Sequence, residues 1–227
     1  MKPIYIIGGS KGGVGKSMVT MGLLDYLATN GENAVLIDTD TSNPDVWKTY
    51  GNENSGELVN LEEAEGWINL INICGNVDNK DKAIVINTRA ANNQGIKKYG
   101  ETLNDSLKEL GRTLVVLWVI NRQRDSLELL TDFRAALPNA LVHVVRNGYF
   151  GDEHKFQLYN GSKTRKAIEE GGGKSLIYPD MADLLADDIY TRRMTIAKAS
   201  ADLPIGNRAE LKRWKALASI MFDEVIK

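Results

Sequence analysis

Residues 8–17 read Gly8-Gly9-Ser10-Lys11-Gly12-Gly13-Val14-Gly15-Lys16-Ser17, set between a short apolar run and a stretch of helical periodicity carried by Met18, Val19, Met21 and Leu23. Glycine adopts positive φ without steric penalty, so the backbone N–H groups of residues 12–18 can turn inward onto an anion. A helix beginning at Lys16 directs its positive end at the same point. The chemistry these residues can do is phosphate binding. Lys16 would contact the β- and γ-phosphates of a nucleotide, and the Ser17 hydroxyl is the type of ligand that Mg²⁺ takes when it bridges phosphate oxygens. A glycine-rich turn that only caps a helix is the bland alternative. A Gly-Lys-Ser placed between a strand and a helix argues against it.

Other candidates lie at the ends of apolar runs. Asp38 and Asp40 follow residues 34–37, Asn87 follows residues 83–86, and Asn147 follows Val144-Val145-Arg146. Aspartates after a strand are commonly turn formers or helix caps. Beside a metal they can instead stay ionised and accept a proton or hydrogen bond from water. Asn147 has the donor and acceptor pair that an adenine edge requires, although asparagine at a strand end is also a routine turn residue. The segment Gly171-Gly172-Gly173-Lys174-Ser175 imitates a phosphate loop but precedes a strand, and reads as a helix-ending turn. His143, His154 and Cys74 have no metal-ligand spacing and read as structural, Cys74 as the close of an apolar strand.

These residues need a scaffold that presents strand ends on one edge. Apolar, β-branched runs recur at 4–7, 34–37, 68–73, 83–86, 113–120, 140–145 and 175–178, and their continuous apolarity predicts strands covered on both faces. Helical spacing falls between them at 16–29, 101–110, 126–137 and 162–170, and again at 209–226. The polar stretches 50–66 and 89–100 read as mobile loops. The alternation predicts an α/β fold, a mostly parallel central sheet flanked by helices in three layers, with ligands at the carboxyl ends of the strands. At 227 residues and 43% apolar content, a single domain spanning 1–227 is expected. With 28 basic and 30 acidic side chains, any attraction to nucleic acid must be local. One cysteine forms no internal disulfide, no secretory segment follows Met1, and the longest apolar run is too short for a bilayer, so a cytoplasmic protein with no membrane role is expected.

Lys11-Gly12-Gly13-Val14-Gly15-Lys16-Ser17 resembles the deviant Walker A loop of the ParA/MinD superfamily of P-loop ATPases. That resemblance implies ATP and Mg²⁺ as ligands, and a homodimer formed on ATP binding, in which Lys11 of one subunit reaches the phosphates of the other. A second cation there would stabilise charge growing at the leaving oxygen and tie dimerisation to triphosphate. It further implies that Asp40 orients the attacking water, that Asp38 helps position the metal, and that Asn147 reads adenine, with Pro179 opening the base-side loop. The chain departs from the pattern at Asn87, where the Walker B strand normally ends in aspartate. An amide accepts a hydrogen bond but brings no charge, so weak Mg²⁺ binding and slow hydrolysis are expected. A second switch segment beginning at Thr88 follows from location alone.

Nitrogenase iron protein shares the loop but needs two cysteines per subunit. Dethiobiotin synthetase, a carboxylate-activating enzyme, shares the fold without a counterpart of Lys11. The residues around Asn147, Val145-Arg146-Asn147-Gly148-Tyr149-Phe150-Gly151, resemble the TraL/MobD-like branch, which implies conjugation or mobilisation as an alternative to DNA partition. Arg192, Arg193, Lys212 and Arg213 are candidate contacts to DNA phosphates, with nucleoid association and a DNA-binding adaptor or conjugation-machinery protein as implied partners; solvated helix faces explain the same residues.

Overall fold

The computed structural model describes residues 1–10, 12–90 and 93–226, without the side chain of Asn93. Lys11 therefore lies outside the described residues, as do Ala91 and Asn92 of the segment that follows Thr88. The chain runs β1 (Ile4–Gly9), α1 (Lys16–Thr29), β2 (Ala34–Asp38), α2 (Asp45–Tyr50), β3 (Glu57–Leu58), α3 (Ala64–Gly75), β4 (Ala83–Asn87) and α4 (Asn93–Leu110). It continues with β5 (Leu114–Ile120), α5 (Asp125–Ala136), β6 (Leu141–Asn147), α6 (Gln157–Asn160), α7 (Lys163–Glu170), β7 (Ser175–Tyr178), α8 (Asp183–Thr191), α9 (Ile196–Asp202) and α10 (Ile205–Asp223).

The strands form one sheet in the order β3-β2-β4-β1-β5-β6-β7, and every recorded pair is parallel. Strand order reverses at β1, so the loop leaving β1 opens at the switch point where α/β sheets bind ligands. The two faces of the sheet feed separate cores. Tyr5, Ile7, Val115, Leu117 and Val145 pack with Leu23, Leu24 and Leu27 of α1 and with Trp214 and Phe222 of α10. Ile4, Ile6, Val116, Trp118 and Val144 pack with Trp67 and Leu70 of α3, Leu103 and Leu107 of α4, and Leu130 and Phe133 of α5. That double cover explains the unbroken apolar runs of β1, β4 and β5.

Three expectations are corrected. The run 68–73 lies inside α3 and not in a strand: Trp67, Leu70, Ile73 and Cys74 are buried while Ile68 is 57% exposed, the spacing of a helix face. The third strand is instead the exposed pair Glu57–Leu58 on the sheet edge, within the stretch 50–66 that read as a loop. With neither residue buried, it has no apolar signal. Helix α4 starts at Asn93, taking in most of the predicted loop 89–100. Gly95 and Gly100 weaken its helical signature, yet a Cβ at Gly100 would lie 3.3 Å from the Ala136 carbonyl, so that glycine permits α4 to approach α5. Cys74 is buried in α3, and burial pushes its thiol up to about 12. No described helix is long and apolar enough to cross a membrane.

His143 on β6 is 3% exposed. Its Nδ1 accepts the Lys174 backbone N–H at 3.0 Å, which puts the proton of the neutral ring on Nε2, and Nε2 meets no acceptor among the described residues. Burial, then the charge of Lys174, lowers its pKa to about 4 from the ordinary 6.5. The unfolded chain thus binds more protons between those values, and stability is expected to fall as pH drops through that window, by at most about 3 kcal/mol. Urea unfolding of the wild type and His143→Leu at several pH values checks this; the variant should lose part of the acid sensitivity.

Candidate nucleotide site

A cleft of about 380 Å³ opens at the carboxyl edge of the sheet, and of the candidates at strand ends Asp40, Asn87 and Asn147 line it. Gly12, Gly13, Gly15, Lys16, Ser17 and Met18 form one wall, Asp40, Asn43 and Asp45 a second, Asn87, Thr88 and Ala90 a third. The far end is built from Asn147, Tyr149, Tyr178, Pro179, Asp180, Met181, Asp183, Ala186 and Tyr190.

The loop's shape follows from its residues. Gly13 and Gly15 have φ of 77° and 103°, and Gly15 is the residue before α1. Val14 between them is fully buried and pins the loop into the α1-side core. Helix α1 has no acidic residue in its first turn and no side-chain cap, leaving its N-terminal N–H groups to face the cleft. Lys16 is 7% exposed, and burial lowers its pKa to about 8 against the opposing pull of Asp40. Such an ammonium gains from an anionic ligand what it lost in water.

Asp40 is half-buried; its Oδ1 accepts the Ser42 hydroxyl at 2.6 Å and the Asn43 backbone N–H at 3.0 Å. Burial raises its pKa, but those hydrogen bonds and the charge of Arg89 outweigh burial, and the net shift is downward. An ionised acceptor therefore sits in the wall of the cleft. Asp38 is the strand end that does not line it. It is fully buried, with Oδ1 accepting from Asn87 Nδ2 at 3.1 Å and Asp40 N at 3.2 Å, and Oδ2 from Trp47 N at 3.1 Å. Burial raises its pKa. Asn147 lines the cleft while its Nδ2 donates to the Val14 carbonyl at 2.9 Å and its Oδ1 accepts from Tyr149 N at 3.1 Å. One N–H and one lone pair of the amide remain for a ligand.

Among the described residues lining the cleft, Lys16 is the one basic side chain, against Asp40, Asp45, Asp180 and Asp183. A polyphosphate entering this field needs additional positive charge. The available donors are hard oxygens, the Ser17 hydroxyl, the Asp40 carboxylate and the Asn87 amide, which fit Mg²⁺ held jointly with phosphate. No cluster of three or more His, Cys, Asp or Glu suited to a metal is found among the described residues.

Other cleft residues were marked faintly or not at all in the sequence. Tyr178, whose hydroxyl donates to the Met18 carbonyl at 2.9 Å, and Pro179, whose carbonyl accepts Trp214 Nε1 at 3.1 Å, tie the far wall to α1 and α10. Thr88 Oγ1 donates to the Ile7 carbonyl at 2.8 Å. Of these, Thr88 and Pro179 were legible as candidates and Tyr178 was not. The basic residues fall elsewhere: Arg213 is held by Glu210 at 2.6 Å and Arg192 lies 4.0 Å from Asp188. Lys212 shares an exposed groove with Arg208 and Lys215, which Arg192 and Arg193 do not line.

Strand, glycine loop, capless helix and buried lysine at a sheet switch point define a P-loop nucleotide-binding protein. The chain belongs to the CobQ/CobB/MinD/ParA nucleotide-binding family, whose domain matches residues 5–147 and which is a family of P-loop ATPases. It is 61% identical over 226 residues to Protein MobD of Acidithiobacillus ferrooxidans, covering 99% of this chain and 98% of that one. The fold is shared with MinD of Pyrococcus horikoshii complexed with Mg-ADP, at 14% identity and TM-score 0.59 over 100% of this chain and 97% of that chain. A candidate plasmid partition protein of Borrelia burgdorferi bound to AMPPNP aligns at 17% identity and TM-score 0.63 over 99% of this chain and all of that one.

Proposed function

We propose that this chain is an ATP- and Mg²⁺-binding switch that dimerises around its nucleotide, with Lys11 of each subunit completing the partner's phosphate site. One observation carries the reading: a buried lysine is the one basic side chain, among the described residues, of a cleft that also holds four aspartates. A triphosphate bound there is under-compensated by Lys16 alone, and a second lysine from another copy supplies the deficit. Ser17 and phosphate oxygens hold Mg²⁺, which neutralises the phosphates. Asp40 accepts a hydrogen bond from the attacking water, and Asn147 uses its remaining amide capacity on the base.

Hydrolysis is slow in this reading because Asn87 brings no charge to the metal. The cycle positions DNA or a DNA-bound complex, as in partition. Arg193, Arg208 and Lys212, which form no ion pair among the described residues, are the candidate phosphate contacts. A second reading, an accessory switch in conjugation or mobilisation with little turnover, is favoured by Asn87 and by the 61% identity to a protein named MobD.

Sedimentation velocity with a nonhydrolysable ATP analogue tests the dimer. The wild type should shift from monomer to dimer, and Lys11→Ala should bind nucleotide within a few-fold of wild type yet remain monomeric. A Lys11→Ala protein that dimerises as the wild type does refutes the trans lysine.

A further inference from the structure

Asp38 and Asn87 are the last residues of two adjacent strands and face each other in register. Both are buried, at 0% and 4% exposure. The Asp38 carboxylate collects three N–H donors, the Asn87 amide and the backbones of Asp40 and Trp47. Because a carboxylate only accepts, Asn87 must turn Nδ2 toward it, and its Oδ1 is thereby fixed toward Thr20, whose Oγ1 lies 3.1 Å away. Thr20 Oγ1 is also 2.9 Å from the Lys16 carbonyl. The single Thr20 hydroxyl hydrogen is shared between Asn87 Oδ1 and the Lys16 carbonyl, so a line of polar contacts runs from the loop carrying Asp40, through Asp38, Asn87 and Thr20, to the first turn of the helix carrying Lys16 and Ser17.

We propose that Asp38 and Asn87 form one shared-charge unit of the nucleotide site: a single buried carboxylate, placed behind an amide, holds the Asp40 loop and the first turn of α1 in register. Both are positioning residues. The amide at position 87 gives the carboxylate at position 38 a donor that an ionised aspartate there would not. With an aspartate at position 87, Asp38 would lose the Asn87 donor and two partly desolvated carboxylates would repel at contact distance. The charge that Asn87 lacks has a place in this chain one residue-width farther from the cleft. Exchanging the two side chains would move it to the cleft wall, because Asn87 lines the cleft and Asp38 does not. The cleft part of this inference rests on the nucleotide reading above; the pairing does not.

Four proteins test it: wild type, Asn87→Asp, Asp38→Asn and the exchanged double variant. Without nucleotide, Asn87→Asp is expected to melt lower by about 5–10 °C, the scale of an uncompensated buried charge in a chain of this size. The double variant should recover at least half of that loss. It stops short of full recovery because an amide at position 38 cannot accept from both the Asp40 and Trp47 backbones. Asn87→Asp as stable as wild type, or a double variant whose loss is the sum of the singles, overturns the pairing. ADP affinity with and without Mg²⁺ then reads where the charge sits. The double variant should show a Mg²⁺-dependent gain about tenfold larger than wild type, and an unchanged gain overturns the placement behind the amide. A wild type that binds no ADP at all rejects the nucleotide reading and the placement with it, while the melting comparison still decides the pairing.

Discussion

Lys16→Ala is expected to lose nucleotide affinity by on the order of 100- to 10,000-fold, with the nucleotide-free protein still folded. The size follows from what the ammonium does. It is the one described cation in the cleft wall, it is almost wholly desolvated, and burial alone has brought its pKa down to about 8. Each charge-assisted hydrogen bond to a phosphate oxygen contributes roughly 1.5–3 kcal/mol, and one lysine reaching two phosphates makes two of them. Truncation removes both and leaves four carboxylates facing the polyanion. Titration calorimetry with ADP and with an ATP analogue measures the loss. A variant within tenfold of the wild type would mean that phosphate is not held at this lysine.

Gly15→Ala is expected to act on stability and binding together. Gly15 sits at φ 103°, a left-handed conformation costing an alanine roughly 1–2 kcal/mol. A Cβ there would overlap Asn147 Nδ2, the group that donates to the Val14 carbonyl. Displacing that amide strands a buried carbonyl, at about 1–3 kcal/mol more. Together these lower the melting temperature by roughly 5–10 °C and pull the loop off the phosphate position. Asn147→Ala in the same background relieves the overlap but not the dihedral strain, so the double variant should be less impaired than the two single losses summed. Additive losses would show that loop and amide do not touch.

The coupling of Gly15 to Asn147 shows how far the sequence could be read. Each residue was visible as a candidate alone, Gly15 from a contiguous motif and Asn147 from its place at a strand end. That the asparagine buttresses the loop from 132 positions away was not. Asp38 is a sharper case. The resemblance implies a metal-side carboxylate there, and the structure places it in the interior, where the backbones of Asp40 and Trp47 and the Asn87 amide donate to it. Thr20 carried no signal because a hydroxyl one turn inside a helix usually bonds its own backbone, as this one also does. The run 68–73 misled because a six-residue stretch with four apolar side chains fits a strand or one face of a helix until a neighbouring surface selects the period.

By itself the sequence determined the phosphate loop, the parallel α/β class and the strand ends from which the site is drawn. Each of these is written in residues adjacent along the chain: glycines that permit positive φ, a lysine and a serine opening a helix, and runs apolar enough for both faces of a sheet. Only the tertiary structure decided that Asp38 lies behind Asn87, that Tyr178 and Pro179 close the far wall, and that none of the four basic candidates lines the cleft. The physical reason is that hydrogen-bond partners and buried charges are set by strand register and helix packing. Those bring together side chains separated by 49 to 160 positions, over which local spacing holds no information.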